Sequence, residues 1–313
     1  MHIVLLIVGF IILIKGADIF VDGAKSIAGN LKVSKMLIGL TIVAFGTSAP
    51  EFAVSVKSLI SGSGDIVLGN VIGSNILNIL LILGVSSMFH FLNVKNNTVK
   101  KELPITLLFT TLFIVLLSDN LLGSGDNSFT RSDGIVLLLF FLVFIYYLIS
   151  MARNKIGNDE EKYMPIFKSI IYTVLGIVAI VLGSNMVVDS ATKLATIIGV
   201  SEKLISLTII ALGTSLPELV TSITATRKGE YDLAIGNVVG SNIFNLGIVI
   251  GLPVSLFGGI SNISFNYIDL IVMFLSVFLL FIFSLSNKKI SKKEGIIFLI
   301  LFVIYYSYVI FMG

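Results

Sequence analysis

Long apolar runs, separated by short polar connections, constrain this chain more than any other feature. Nearly charge-free blocks span Ile3–Ile14, Leu103–Leu117, Gly134–Ile149, Ile166–Leu182, Tyr267–Phe283 and Gly295–Met312. With their flanks, these blocks reach the roughly 20 residues that a helix needs to cross a hydrocarbon core about 30 Å thick. Only 12% of the 313 residues are charged, against about 25% in soluble domains. We therefore predict an all-α, multi-pass membrane protein.

Ten membrane spans can be placed along the chain. They are predicted at 2–23, 36–60, 66–91, 103–119, 133–151, 166–189, 203–226, 233–257, 265–285 and 294–312. The polar connection 152–165 separates five spans from five. It is predicted to be a cytoplasmic linker between a first half, 1–151, and a second half, 166–313.

The two halves repeat each other. A shift of 167 residues lays Gly16–Gly84 over Gly183–Gly251 without a gap, and about thirty of these 69 positions are identical. GTSAPE at 46–51 falls on GTSLPE at 213–218, and GNVIGSNI at 69–76 falls on GNVVGSNI at 236–243. Because each half has an odd number of spans, the second copy must enter the membrane in the opposite sense. This inverted-repeat plan is typical of secondary transporters, whose site lies near the midplane between the repeats.

Basic residues agree with this topology. Sixteen lysines and arginines fall in or beside the connections after spans 1, 3, 5, 7 and 9, and four fall in or beside the connections on the opposite side. Basic residues concentrate in cytoplasmic connections of membrane proteins. We therefore predict a cell-membrane protein with both termini extracellular.

Two carboxylates, Glu51 and Glu218, lie inside otherwise apolar spans. A charged side chain at membrane depth is costly to insert, and such residues usually mark ion or substrate pathways. The nearest basic residues, Lys57 and Arg227, lie near the ends of the same spans. A cation from solution is therefore predicted to be the partner of each carboxylate.

A proline precedes each of these glutamates. Pro50 and Pro217 have no N–H group, and each ring clashes with the carbonyl four residues earlier. Spans 2 and 7 are therefore predicted to break near the membrane midplane, where irregular backbone is tolerated only if it lines protein or a water-filled cavity. The hydroxyl side chains at these breaks are Thr47, Ser48, Thr214 and Ser215.

Spans 3 and 8 carry further polar side chains at a spacing of four, which places them on one helix face. These residues are Asn70, Ser74 and Asn78 in the first half, and Asn237, Ser241 and Asn245 in the second. The same helices carry small-residue pairs that allow close helix approach, namely Gly69 with Gly73 and Gly236 with Gly240.

The predicted site thus offers carboxylate, hydroxyl, amide and carbonyl oxygens. The chain has no cysteine and only two histidines, so it lacks soft ligands. Oxygen ligands suit hard cations, and calcium accepts six to eight of them in flexible geometry. Magnesium and manganese are not separated from calcium by this argument. No organic cofactor and no nucleic-acid partner are expected; the predicted partners are small inorganic cations and the lipid bilayer.

The paired GTSxPE segments, each followed by GNVxGSNI, resemble the two α-repeats of the sodium/calcium exchanger branch of the cation/calcium antiporter superfamily. The resemblance implies alternating access by spans 1 and 6 moving against the remaining bundle, in a monomer. It implies calcium ligands Glu51, Glu218, Thr47 and Thr214. It implies sodium ligands Ala44, Thr47, Ser48, Glu51, Ser74, Ala211, Thr214, Ser215, Glu218 and Ser241. Asn78 and Asn245 would line the central site.

One position departs from the family pattern. Characterised exchangers often carry aspartate at the position of Asn245, or at both asparagine positions, and the potassium-dependent branch expects acidic residues there. This difference argues against potassium dependence and leaves the ion stoichiometry open. Calcium/proton exchange is the alternative transport function. A channel fits inverted repeats less well, and no catalytic constellation supports an enzyme.

Overall fold

The computed structural model describes residues 2–122, 128–153, 162–199, 211–261, 263 and 266–312, and nearly all of their regular structure is helical. The first-half helices are α1 His2–Leu31, α2 Lys35–Thr47, α3 Ala49–Ile60, α4 Gly64–Phe89, α5 Leu103–Leu116, α6 Asp119–Leu122 and α7 Arg131–Arg153. The second-half helices are α8 Ile166–Ile197, α9 Ala211–Thr214, α10 Leu216–Arg227, α11 Tyr231–Phe257, α12 Tyr267–Asn287 and α13 Lys292–Met312. Two short strands, β1 Leu92–Asn93 and β2 Lys289–Ile290, pair antiparallel.

Seven of the described helices are long and apolar enough to cross a membrane, judged by length and composition. These are α1, α4, α7, α8, α11, α12 and α13, and the bent pair α2–α3 would make an eighth. The seven long helices coincide, in the same order, with predicted spans 1, 3, 5, 6, 8, 9 and 10. The bent pair coincides with predicted span 2. Predicted span 4 contains α5, which has only 14 residues and follows a π-helical turn at Thr98–Glu102. Span 7 contains α9 and α10.

Some predicted features fall outside the described residues. These are the start of span 7 at 203–210, the centre of the linker at 154–161, and the C-terminal residue Gly313. Two helices extend beyond the predicted spans: α1 continues from 23 to Leu31, and α8 continues from 189 to Ile197. The cause in α1 is packing, because Ala24, Ile27 and Ala28 are buried beyond the apolar block that marked the span.

The centre of the bundle is formed by α4 and α11. Of their apolar stretches, 72% and 89% respectively are buried, whereas the stretches of α1, α7, α8, α12 and α13 are 17–33% buried. The polar side chains that both central helices carry are therefore enclosed by protein. The outer helices expose large apolar side chains, as a lipid-facing surface requires.

Helices α1 and α8 run antiparallel and pack closely along their length. A Cβ atom added to Gly16 would lie 2.8 Å from the Cβ atom of Ala179, and one added to Gly183 would lie 2.6 Å from the backbone nitrogen of Leu13. The glycines on this seam recur every seven residues, at Gly9, Gly16 and Gly23 in α1 and at Gly176 and Gly183 in α8. Small residues at this spacing let the two backbones touch.

Several connections meet at one end of the bundle, which we call the β-strand end. The connection after α4 holds β1, and the connection after α12 holds β2. Lys95, just after β1, forms an ion pair with Asp232 in the first turn of α11. Asn30, near the end of α1, donates a hydrogen bond to the carbonyl of Met164, just before α8, at 2.7 Å. Connections that follow spans 1, 3, 5, 7 and 9 therefore lie together.

Ion pairs tie α1 to the connection between α10 and α11 at this same end. Glu230 accepts from Lys25 of α1 at 2.8 Å and from Lys35 of α2 at 2.9 Å. Lys228 lies 2.7 Å from a carboxylate oxygen of Asp22 in α1. The repeat places serines, not charged residues, opposite Lys228 and Glu230 in the first half, at positions 61 and 63.

The other end of the bundle joins a different set of connections. Phe129, between α6 and α7, forms an antiparallel bridge with Ile260, between α11 and α12. The side chain of Ile260 also packs against Gly64 at the start of α4. Connections after spans 2, 4 and 8 thus meet here, opposite the β-strand end.

We predict that enlarging the α1–α8 seam destabilises the protein. Gly16→Leu or Gly183→Leu should lower the free energy of unfolding by about 1–3 kcal/mol each, because the new side chain meets backbone or Cβ atoms. Thermal unfolding in detergent measures the effect. Val4→Phe is the control, since Val4 lies on α1 with 63% of its side chain exposed. Equal unfolding midpoints for both glycine variants and the parent would contradict the close packing.

Candidate ion-binding site

The two proline-containing segments interrupt their helices at single residues. Ser48 separates α2 from α3, and the two helices bend by 47°. Ser215 separates α9 from α10. The two serines have nearly the same backbone angles, φ −84° and ψ 7° for Ser48 and φ −89° and ψ 6° for Ser215. Pro50 and Pro217 occupy the first turn of the following helix, where a missing N–H group is tolerated.

Glu51 and Glu218 lie in the first turns of α3 and α10. Each is 1% exposed. The N-terminal turn of a helix carries free N–H groups and a partial positive charge, which favours a carboxylate at this position. The helix breaks therefore place both acids where the backbone itself stabilises negative charge.

Hydroxyl groups from each half hold the carboxylate of the other half. Ser48 donates to Oε1 of Glu218 at 2.9 Å. The equivalent residue of the second half, Ser215, donates to Oε1 of Glu51 at 3.3 Å. Two further hydroxyls, those of Ser241 and Ser74, contact Ser48 and Ser215 respectively.

These two serines of the central helices bridge the halves. Ser241 Oγ lies 3.0 Å from Ser48 Oγ, and Ser74 Oγ lies 3.2 Å from Ser215 Oγ. All four hydroxyls and both carboxylates are buried. Six of the predicted ligands thus lie in two buried polar groups of three, and each group contains residues of both halves.

Four oxygen atoms of the predicted site have no hydrogen-bond partner among the described residues. They are Oε2 of Glu51, Oε2 of Glu218, Oδ1 of Asn78 and Oδ1 of Asn245, all buried. No Lys or Arg pairs with either glutamate within the described part of the chain. Buried polar atoms normally have partners. Four orphaned acceptors of hard-ligand type therefore suit a cation that binds oxygen.

The remaining predicted ligands lie around the helix breaks. The Thr47 hydroxyl lies 3.0 Å from Oδ1 of Asn237 and 3.1 Å from the carbonyl of Val43. The carbonyl of Ala44 accepts from the backbone N–H of Ser48 at 3.0 Å. Ala211 and Thr214 are the first and last residues of α9.

Asn70 and Asn237 support the backbone of the acids. Asn70 Nδ2 donates to the carbonyl of Glu51 at 3.1 Å and to Ser55 Oγ at 3.0 Å. Asn237 Nδ2 donates to the carbonyl of Glu218 at 3.3 Å and to Ser222 Oγ at 2.9 Å. The sequence reading placed both asparagines on the polar stripe and overlooked Ser55 and Ser222. Their identity at equivalent positions of the repeat was the available signal.

A second pair of residues was also overlooked. Asn75 and Asn242, both within the repeated GSNI motif, contact Asn245 and Asn78 across the two halves. A π-helical segment begins at each of the latter residues, Asn78–Leu83 in α4 and Asn245–Ile250 in α11. Such widened turns are frequent at functional sites.

The small-residue pair of the second half allows close packing, as predicted. A Cβ atom added to Gly236 would lie 2.9 Å from the Cα atom of Gly39, and one added to Gly240 would lie 2.8 Å from the Cβ atom of Ala44. The segment equivalent to the Gly39 region in the second half, 206–210, falls outside the described residues. Helix α2 therefore lies directly against α11 beside the site.

Comparison with known proteins agrees with these observations. The model of the family described as "Sodium/calcium exchanger protein" matches residues 1–150 and 168–311. The chain is 32% identical over 335 residues to the sodium/calcium exchanger MaX1 of Methanosarcina acetivorans, covering 96% of this chain and 95% of that one. It is 38% identical over 260 residues to the inner membrane protein YrbG of Escherichia coli, covering 80% and 78% respectively.

A solved structure shares the fold over the whole chain. The sodium-calcium exchanger NCX_Mj, soaked with 10 mM Na+ and zero Ca2+, superposes with a TM-score of 0.84 and 31% identity, covering 100% of this chain and 99% of that one. The match to the family model spans both halves of the repeat, including both proline-glutamate segments. The chain therefore belongs to the sodium/calcium exchanger protein family.

Proposed function

We propose that this protein is a secondary active antiporter that exchanges sodium for calcium across the cell membrane by alternating access. The observation that carries the proposal is the pair of buried carboxylates, Glu51 and Glu218. Each has one oxygen held by a serine of the opposite half and one oxygen without a partner among the described residues. The names of MaX1 and NCX_Mj, both called sodium/calcium exchangers, support the same choice of ions.

The ligand set explains why the two ions exchange. Two carboxylates balance the charge of one calcium ion, and the same oxygens can hold sodium ions instead. Occupancy by calcium and by sodium is then mutually exclusive. In this proposal Glu51, Glu218, Thr47 and Thr214 bind calcium, and Asn78 and Asn245 line the centre. Sodium binds the glutamates with the hydroxyl and carbonyl ligands, which are Ala44, Thr47, Ser48, Ser74, Ala211, Thr214, Ser215 and Ser241.

The architecture that we propose is ten spans in two inverted repeats, 1–151 and 166–313, joined by the linker 152–165. Equivalent hydrogen bonds in the two halves support it, because Asn70 and Asn237 make the same contacts to their own helix breaks. The grouping of connections also supports it. Connections after odd-numbered spans meet at the β-strand end, and those after spans 2, 4 and 8 meet at the other.

Alternating access requires part of the protein to move while the site stays assembled. We assign that movement to the antiparallel pair α1–α8, which packs outside the α4–α11 centre. The ion pairs of Glu230 with Lys25 and of Lys228 with Asp22 must then break or rearrange when the β-strand end opens. The opposite end has Ser61 and Ser63 at the equivalent positions and has no such charges there.

Transport assays in proteoliposomes test the proposed exchange. Calcium uptake is measured while sodium, potassium or proton gradients are imposed one at a time. Sodium-driven uptake at fixed pH, without a potassium requirement, supports the proposal. Uptake driven by protons alone would replace it with calcium/proton exchange, and flux without a counter-ion would indicate a channel.

We predict that loss of either glutamate abolishes exchange. Glu51→Gln or Glu218→Gln should reduce calcium uptake by about 100-fold or more, since removing one partner of a buried charge pair costs about 3–5 kcal/mol. Glu102→Gln is the control. Glu102 is also fully buried, but it lies directly before α5, contacts Tyr147 of α7 and belongs to neither group of predicted ligands. Robust uptake by a folded glutamate variant would contradict the site.

We predict that the β-strand end faces the cytoplasm. The chain has no native cysteine, so single cysteines can be introduced directly. Lys100→Cys and Lys289→Cys should react with impermeant reagents only after cells are opened, and Ser61→Cys should react in intact cells. Labelling of all three from one side would refute the proposed topology.

We predict that exchange is electrogenic. With amides at Asn78 and Asn245, only Glu51 and Glu218 offset the ions, so a site with one calcium is neutral and a site with three sodium ions carries one positive charge. Each cycle then moves one net charge, worth about 2.3 kcal/mol per 100 mV. Calcium flux in vesicles held at different potassium-diffusion potentials measures this. Flux indifferent to potential, with reversal at two sodium ions per calcium, would contradict it.

A further inference from the structure

Asn75 and Asn242 lie outside the proposed ligand set, yet they join the two halves beside it. Both are 1% exposed, and they occupy equivalent positions of the repeat. We propose that Asn242 is a positioning residue, which holds the amide of Asn78 so that its oxygen faces the transported cation. This inference rests on the proposed function, because it concerns the same site.

The orientation of the Asn242 and Asn78 side-chain amides is set by the backbone carbonyl of Asn75, and we call this chain of hydrogen bonds the asparagine relay. The backbone carbonyl of Asn75 can only accept hydrogen bonds. Asn242 donates to it from Nδ2 at 3.3 Å, which directs Oδ1 of Asn242 elsewhere. That oxygen accepts from Nδ2 of Asn78 at 2.9 Å. The oxygen of Asn78 is consequently the amide atom left buried and unpaired among the described residues.

The direction of this amide matters for a cation. An asparagine side chain offers an acceptor oxygen on one side and two N–H donors on the other. Only the oxygen can bind calcium or sodium, and the N–H groups repel them. Without an acceptor at 242, nothing in this relay distinguishes the two orientations of Asn78. Asn242 therefore keeps Asn78 in its ligand form before an ion arrives.

The equivalent hydrogen bonds of Asn245 and Asn75 form an incomplete relay. Asn245 donates from Nδ2 to Oδ1 of Asn75, at the longer distance of 3.3 Å. The Nδ2 atom of Asn75 has no partner among the described residues, so no backbone carbonyl fixes the Asn75 amide. The two central asparagines thus differ in how firmly they are held, although the sequence around them repeats.

A double-mutant comparison tests the relay. Asn242→Ala and the volume-matched Asn242→Leu are prepared with Asn78 and again with Asn78→Asp. Calcium binding to purified protein and half-saturating calcium in proteoliposomes are measured. With Asn78, both variants should raise the half-saturating concentration about tenfold, the effect of losing roughly one hydrogen bond. With Asn78→Asp the effect should vanish, because both oxygens of a carboxylate are acceptors.

Asn75→Ala provides the matched control. It keeps the backbone carbonyl that anchors Asn242, so its effect should be the same with Asn78 and with Asn78→Asp. Equal effects of the Asn242 variants in both backgrounds would overturn the proposal. A lowered unfolding temperature with unchanged calcium affinity would overturn it as well, since it would indicate packing alone. A parent protein that neither binds nor exchanges calcium would instead refute the proposed function.

Discussion

Burying two carboxyl groups inside an apolar helical bundle requires compensation, because an acid removed from water without partners is costly by several kcal/mol. This protein provides compensation from two directions. The breaks at Ser48 and Ser215 start new helices whose first turns contain Glu51 and Glu218, so backbone dipoles point at each acid. Serine hydroxyls then satisfy one oxygen of each. The second oxygen is left for a cation in the proposed function.

The hydroxyl groups come from the opposite half in both cases, and this crossing governs the architecture. Ser48 of the first half donates to Glu218, and Ser215 of the second half donates to Glu51. The two helix breaks must therefore lie close together. Glycines on α11 also let α2 approach it closely. The same contacts between the halves therefore form the site and contribute to the packing of the core. A change that separates the halves removes the site as well as the packing.

The departures from symmetry are as informative as the repeat. Ion pairs tie α1 to the α10–α11 connection at the β-strand end, where the first half has serines in equivalent positions. The asparagine relay reaches a backbone carbonyl through Asn242 but not through Asn75. Both halves make the serine–glutamate contacts, whereas Lys228 and Glu230 have no charged counterparts at the equivalent positions of the first half, and only one of the two relays is complete.

The sequence by itself determined the membrane class, the repeat, the helix breaks and the two acids. Each follows from local chemistry: hydropathy, internal identity, the missing N–H group of proline, and the cost of a charge at membrane depth. Tertiary structure alone decided which hydroxyl meets which carboxylate, the extension of α1 to Leu31, and the contacts of Asn75 and Asn242. The hydroxyl–carboxylate and asparagine contacts join residues 164 to 170 positions apart. Local sequence patterns do not reveal contacts between residues so far apart in the chain, because only the packing of the halves brings the partners together.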